Sequence, residues 1–337
     1  MNSGFVLTLI VAWLFVPLVP VHAATFNVTD YGAVGDDSTD NTAAFAKCIE
    51  KVIAAGGGRM YFPDGVYRGR IIIPPQGGPG WITIEIVGES EPTPVFGTIG
   101  SFPPQNGGTI VKSLETSGAA VISAPPGNLY MGFSGVYVVI RNLNVRTYDN
   151  PRISGIDLNH AAQCRLENVV VSTGVYNVQA SQPTHGKAGL VTPANNNAAL
   201  TILRNVLVTG YDTGIVVNEH TDADNIVVAS NIHGIKFNTA NHASRFGRIG
   251  TYRNTHHVTV AGRHGFLIQQ MNTEQPGPRQ TNERNAWQKL VSDVNDPASL
   301  GTGDINYWVV VGNVGPVDTF TKIGGSGIRA RRIGSAP

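Results

Sequence analysis

The sequence predicts an all-β solenoid, a parallel β-helix, and three observations predict it. A glycine followed by alternating apolar residues returns five times: at Gly155-Ile156-Asp157-Leu158-Asn159, Gly189-Leu190-Val191, Gly214-Ile215-Val216-Val217-Asn218, Gly234-Ile235-Lys236-Phe237-Asn238 and Gly265-Phe266-Leu267-Ile268-Gln269. Before or between these phrases runs a strand that carries an asparagine: Arg141 to Val145, Leu166 to Val170, Leu203 to Leu207 and, more weakly, Asn225 to Val228. The glycine phrases lie 34, 25, 20 and 31 residues apart, so loops vary while strands return in order. That is how about ten stacked coils read. Third, no glycine-rich fingerprint opens a helix, and the βαβ rhythm of a dinucleotide fold is missing.

In chain order, residues 1–23 come first. Phe5 to Val16 is almost wholly apolar, Pro17 and Pro20 punctuate, and Val21-His22-Ala23 offers small residues before Ala24. This is the pattern of a secretory signal peptide, although Met1 to Gly4 has no Lys or Arg. Cleavage after Ala23 and export are expected. The apolar stretch is short for a membrane-spanning helix.

Phe26 to Gly69 reads as strand, turn-rich loop, helix, glycine break, strand, turn and strand. Phe45, Cys48, Ile49, Val52 and Ile53 fall at i, i+3, i+4, i+7 and i+8, one apolar stripe of an amphipathic helix. Ser38 or Asp40 is the expected N-cap, and Gly56-Gly57-Gly58 the stop. Met60-Tyr61-Phe62 returns to strand, and Pro63-Asp64-Gly65 is a turn.

This segment resembles the entry module of the pectate-lyase/polygalacturonase superfamily. The resemblance rests on Tyr31-Gly32-Ala33, Gly35-Asp36, Thr39-Asp40, Thr42, Gly56-Gly57-Gly58, Phe62-Pro63, Gly65 and Tyr67. It implies a right-handed parallel β-helix whose N-terminal helix caps the first coil. Hydrolases, lyases, epimerase-like proteins and phage tailspikes share that opening. The Asn-Thr-Asp, Asp-Asp, Gly-His-Gly and Arg-Ile-Lys motifs of the polygalacturonases are not complete here; Ile232-His233-Gly234 and Arg248-Ile249-Gly250 are partial echoes too close together. No catalytic residue is carried over.

From Arg70 to Ser123 short strands alternate with loops, including a Pro- and Gly-rich insert from Glu89 to Gly108 that suits the wall of a cleft. After Gln270 the pattern weakens. Thr281 to Val294 suits a helix, and Tyr307 to Val311, Thr319 to Ile323 and Gly327 to Ile333 suit strands. The expected organisation is one β-helix domain over 24–337, with an N-terminal cap at 24–69 and a C-terminal cover at about 281–337. Arg329, Arg331 and Arg332 read as a solvated edge.

Charge narrows the partners. The chain has a formal net charge of +1, and residues 1–23 contribute nothing to it. A near-neutral balance gives no support for nucleic-acid binding, and no membrane contact is expected once the leader is removed. In an exported protein the two cysteines, Cys48 and Cys164, could pair; Cys48 lies on the helix stripe, which favours two separate buried thiols. The expected partner is a polysaccharide, and the chain is read as a monomer or a homotrimer.

The alternation also says which side chains leave the core. Ile156 and Leu158 point in, so Asp157 and Asn159 point out; the same logic turns Asn218, Lys236 and Asn238 outward. Just after these strands come His160, then Glu219-His220-Thr221-Asp222-Ala223-Asp224, then Arg245 and Arg248. Candidate catalytic residues are Asp157, Glu219, His220, Asp222 and Lys236. Candidate substrate-binding residues are Asn159, His160, Asn218, Asn238 and Arg245, although the three asparagines also suit a ladder that satisfies turns. Glycoside hydrolysis needs two carboxyls flanking the bond, for which Asp157 with Glu219 or Glu219 with Asp222 are the candidates. Elimination beside a uronate carboxylate needs a base, with Lys236, Arg245 or His220 available, and a cation. Glu219, Asp222 and Asp224 offer hard oxygen ligands for Ca²⁺, and no zinc site is expected. Tyr130, Tyr137, Tyr148, Tyr176, Tyr211 and Tyr252 are candidate stacking platforms for sugars. The reading is an exported enzyme that cleaves an extracellular polysaccharide as a lyase or a glycoside hydrolase. The competing reading is a non-catalytic glycan-binding or structural β-helix.

Overall fold

Two parallel sheets wind around one apolar core. The computed structural model describes residues 24–76, 81–92, 108–113, 120–127, 135–147, 152–173, 186–194, 200–238, 242–252, 254, 256–260, 264–274, 307–312 and 328–333. The expected leader, the helix expected within Thr281 to Val294 and the strand expected at Thr319 to Ile323 fall outside these residues.

The elements run β1 Thr25–Asn27, β2 Asp36–Asp40, α1 Thr42–Ala54, β3 Gly58–Phe62, β4 Gly65–Arg68, β5 Ile71–Ile72, β6 Ile82–Gly88, β7 Thr109–Lys112 and β8 Ile122–Ser123. The coils proper follow as β9 Val136–Arg146, β10 Ile156–Asp157, β11 Gln163–Ser172, β12 Ala188–Val191, β13 Leu200–Thr209, β14 Thr213–Val217, β15 His220–Ala229, β16 His233–Phe237, β17 His242–Tyr252, β18 His256–Val260 and β19 His264–Glu274. β20 Tyr307–Gly312 and β21 Ile328–Ile333 extend the same stack. The long sheet runs β1-β3-β6-β9-β11-β13-β15-β17-β19-β20-β21, and the small one β18-β16-β14-β12-β10-β8-β5. Every described pairing is parallel, as a solenoid demands.

Like residues stack on like. In the long sheet Ile86, Ile140, Leu166, Leu203, Ala223, Phe246 and Ile268 form one inward file, each fully buried. In the small sheet Ile122, Ile156, Leu190, Ile215, Ile235 and Val258 form another. Each of the larger side chains, Ala223 excepted, contributes about 1.5–3 kcal/mol by leaving water.

The long strands are not straight. Asn142, Asn168, Asn205 and Asn225 sit inside β9, β11, β13 and β15 with φ between 52 and 54°, the left-handed region that asparagine tolerates better than other residues with a side chain. Each bends its strand, so each of these coils has three faces: the small sheet, the first half of the long strand, and the second half. Asn168, Asn205 and Asn225 each donate through Nδ2 to the Oδ1 of the asparagine one coil back, at 3.2, 2.9 and 2.7 Å. Arg248, the next in that file, donates to Asn225 Oδ1 at 2.5 Å. The recurring asparagine of the sequence is this ladder.

The recurring glycine has an equally concrete cause. A Cβ on Gly155, Gly189 or Gly214 would stand 2.5–2.8 Å from the carbonyl oxygen of the next glycine up the stack, and one on Gly234 2.6 Å from His257 O. The turn into the small sheet brings the backbones too close for any side chain. One expectation fails here. Gly265 belongs to β19 in the long sheet, paired with Ala243, and the small-sheet strand after Gly234 is β18, which has no leading glycine.

At the N-terminus α1 covers the first coil. Phe45, Cys48, Ile49 and Val52 are buried, and Phe45 meets Phe62 edge to face with ring centres 5.3 Å apart. The cap differs from expectation. Asn41 is the N-cap residue, without a side-chain bond into the helix; its amide instead ties Val34, Thr39 and Arg68. Residues 36–40, expected as the end of a loop and the start of the helix cap, form β2 against β4. Cys48 and Cys164 are separate buried thiols. Burial pushes both up to about 12, with the Asp30 charge adding to the effect on Cys48.

Candidate active site

The candidate residues gather around the bend where the small sheet passes into the long one, and they fall on both sides of it. Asp157 and Lys236 share one outward file of the small sheet, Asp157–Val191–Val216–Lys236. They share a face but do not meet: three coils at ~4.8 Å separate them by ~14 Å, with two valines between. Asp157 Oδ1 accepts from the Asn159 N–H at 3.1 Å. Lys236 is half-buried and makes no ion pair among the described residues.

The three small-sheet asparagines form a second ladder. Asn238 Nδ2 donates to Asn218 Oδ1 at 3.1 Å, and Asn218 Nδ2 approaches Asn159 Oδ1 at 3.5 Å. Asn218 is buried, and its Nδ2 also donates to Thr192 O at 2.8 Å. The structural role foreseen for these residues is present; direct contact of Asn218 with a substrate is closed off by that burial. His160 follows Asn159 and lies half-buried at the lip, its Nε2 3.3 Å from Asn159 Nδ2.

Glu219, a candidate for both catalysis and Ca²⁺ binding, is not open to solvent. It is 2% exposed, at the bend, with its N–H donating to Pro193 O at 3.1 Å. His220 opens β15, half-buried. Beyond it Asp222 and Asp224 face out from the first half of the long strand, on a different face from Asp157. Neither is idle. Asp222 pairs with Arg204 at 3.1 Å and Arg245 at 3.0 Å, and Arg245 also donates to Gln269 at 2.7 Å. Asp224 accepts from the N–H groups of Arg248 and Asn225 at 2.9 and 3.0 Å; these bonds, the Arg248 one foremost, hold its carboxyl below the usual range. Gly247 makes room for it, since a Cβ there would stand 2.3 Å from Asp224 Oδ1.

Glu219, Asp222 and Asp224 therefore do not fit a Ca²⁺ cage: one is buried at the bend, one is shared by two arginines, and one is tied to backbone. Among the described residues no three His, Cys, Asp or Glu side chains come together as metal ligands. The carboxylate pairs proposed for hydrolysis are likewise divided by the bend. Of the tyrosines, Tyr211 is in the core, Tyr137 and Tyr252 are half-buried, and Tyr130, Tyr148 and Tyr176 fall outside the described residues.

Sequence reasoning missed an ion-pair ladder on the face of Asp222. Arg59 pairs with Glu85 at 3.0 Å, Arg141 with Glu85 at 2.9 Å and with Glu167 at 2.7 Å, and Arg165 Nε donates to Glu167 at 2.8 Å. Burial raises the Glu167 carboxyl, but Arg165 and Arg141 more than offset it and hold it low. A signal existed. The residue before each ladder asparagine is Arg141, Glu167, Arg204 and Asp224, a charge of alternating sign coil by coil.

The family model for rhamnogalacturonase A/epimerase, pectate lyase-like proteins matches residues 25–256, more than two thirds of the chain. The chain belongs to this family. Membership agrees with the right-handed parallel β-helix and its N-terminal helix, and places the chain in a family of carbohydrate-active β-helices. Mannuronan C5-epimerase AlgE3 of Azotobacter vinelandii is 54% identical over 43 residues, 13% of this chain and 2% of that protein. Alginate lyase 7 of the same organism is 49% identical over 43 residues, 13% of this chain and 5% of that protein. The chain thus matches only a small part of either relative. Among solved structures, the Agl-KA catalytic domain superposes with a TM-score of 0.48 at 14% identity, covering 91% of this chain and 51% of that one.

Proposed function

We propose that this chain is an exported enzyme that cleaves an extracellular polysaccharide along the bend between the two sheets, by elimination beside a sugar carboxylate rather than by hydrolysis. The observation that carries the choice is the state of the acids. Hydrolysis asks one carboxyl to stay protonated and a second to stand across the bond from it. Here Asp222 is bound by two arginines, Asp224 is held low by backbone N–H groups, and Glu219 lies on the buried side of the bend. Elimination asks for a base and a positive group near the sugar carboxylate. Lys236, on the small-sheet side of the bend, and His220, at the start of β15, are the base candidates, and Arg245, exposed on the long-sheet side and paired there with Asp222, is the candidate cation. Since the acidic trio does not fit a Ca²⁺ cage, the reaction is proposed to proceed without added Ca²⁺.

The test is to incubate the purified mature protein with acidic and neutral polysaccharides, with Ca²⁺ and then with chelator. Absorbance at the unsaturated-uronate band and new reducing ends are followed together. Rising absorbance that survives chelation and is lost in Lys236→Ala or His220→Ala protein is the expected result. Reducing ends without absorbance would make it a hydrolase. Silence on both channels with retained binding would leave a glycan-binding solenoid.

A further inference from the structure

The asparagine ladder at the bend has a direction, and that direction ends on a histidine. Thr192 O is a backbone carbonyl and can only accept; Asn218 Nδ2 lies 2.8 Å from it. This contact settles which end of the Asn218 amide is nitrogen, a question that only the hydrogen-bond network can decide. Asn218 Oδ1 then faces Asn238, whose Nδ2 donates to it at 3.1 Å. On the other side Asn218 Nδ2 points at Asn159 Oδ1, 3.5 Å away. That is long for a hydrogen bond, yet turning Asn159 over would set two NH₂ groups against each other. With Oδ1 on that side, Asn159 Nδ2 is left facing His160 Nε2 at 3.3 Å. An amide NH₂ only donates, so Nε2 accepts and carries no proton. In a neutral imidazole the proton then sits on Nδ1.

We infer that the Asn238–Asn218–Asn159 ladder locks His160 as the neutral Nδ1–H tautomer, so that its Nε2 is occupied and His160 does not serve the bend as its base. The asparagines are positioning residues, acting through His160. The tautomer follows from this chain's own hydrogen bonds; only the role at the bend rests on the proposed reaction.

The experiment is a long-range ¹H–¹⁵N correlation spectrum of the full chain labelled with ¹⁵N-histidine, at about pH 8, above the ordinary imidazole range. His160 is assigned by its disappearance in His160→Gln. The expected pattern is that of Nδ1–H. Asn159→Asp, nearly the same shape, puts an acceptor where the NH₂ was and is expected to move the proton to Nε2. An Nε2–H pattern in the unaltered protein, or averaging between tautomers, would overturn the inference, whether or not Asn159→Asp folds. On the proposed substrate, His160→Gln is expected to raise KM more than it lowers kcat. A fall in kcat of ~10²-fold or more, as for a missing general base, would overturn the inference that His160 is not the base. A protein inactive on every polysaccharide would sink the proposed reaction and leave the tautomer result standing.

Discussion

Gly189 shows how little freedom single positions have in this chain. A Cβ there would stand 2.1 Å from Val208 Cγ1 and 2.8 Å from Gly214 O. The valine tip can shift, but the carbonyl belongs to the next coil and cannot. Gly189→Ala is expected to cost about 1–3 kcal/mol, the usual range for overpacking, read from urea unfolding midpoints. The thiols give a second residue-scale test. Cys48 and Cys164 are buried and pushed up to about 12, so neither is a thiolate near neutral pH. Ellman's reagent is expected to find no reactive thiol in native protein and both after denaturation; fast labelling of the native state would contradict the packing of α1 and β11.

The ladders and ion pairs belong to the scale of the element. Asn205 serves its strand twice, by adopting a φ of 53° and by linking Asn168 to Asn225. Asn205→Gly keeps the backbone freedom and loses the bonds, whereas Asn205→Ala loses both. Each lost bond is worth about 1 kcal/mol and a left-handed alanine about 1 kcal/mol more, so alanine is expected to be the worse substitution. Equal losses would deny the left-handed bend its role. Acid should act on the same faces. Asp36, Glu167 and Asp224 all ionise more easily folded than unfolded. A depressed carboxyl stabilises above its unfolded value, and that contribution is lost as pH falls through the folded one. Stability should therefore decline below about pH 4, the unfolded carboxylate range. Asp224→Asn keeps an acceptor for the two N–H groups and is expected to flatten the decline of Tm below about pH 4; an unchanged slope would remove Asp224 from the account.

At the scale of the whole molecule each coil touches mainly its neighbours, so energetic effects should add across the stack and couple only between adjacent coils. Gly189 and Gly214 are adjacent in the small sheet, and a Cβ on the first meets the backbone of the second. Phe237, two coils from Gly189, stacks on Phe266 with ring centres 4.3 Å apart and meets Phe246 at 5.6 Å. Phe237→Ala should cost about 3–5 kcal/mol. Combined with Gly189→Ala its effect is expected to add, while Gly189→Ala with Gly214→Ala should depart from additivity by about 0.5 kcal/mol or more. Strong coupling in the distant pair would mean that the coils do not fold as a nearest-neighbour stack.

The sequence by itself determined the solenoid, the helix over its first coil and the order of its strands. These follow from period-two alternation, one helical stripe and two recurring residues, all of which are local. It also placed Asp157 and Lys236 on one face, because alternation fixes direction. What it did not determine was why the glycine and the asparagine recur, since a close carbonyl and an αL bend exist only once coils are stacked. It misplaced Gly265, because a glycine before alternating apolar residues reads alike at the head of either sheet. The tertiary structure alone decided that Glu219 is buried, that Asp222 is shared between Arg204 and Arg245, and that Asp157 and Lys236 are three coils apart. Each depends on which residue of the neighbouring coil stands in register, and the loops that set that register vary in length from coil to coil.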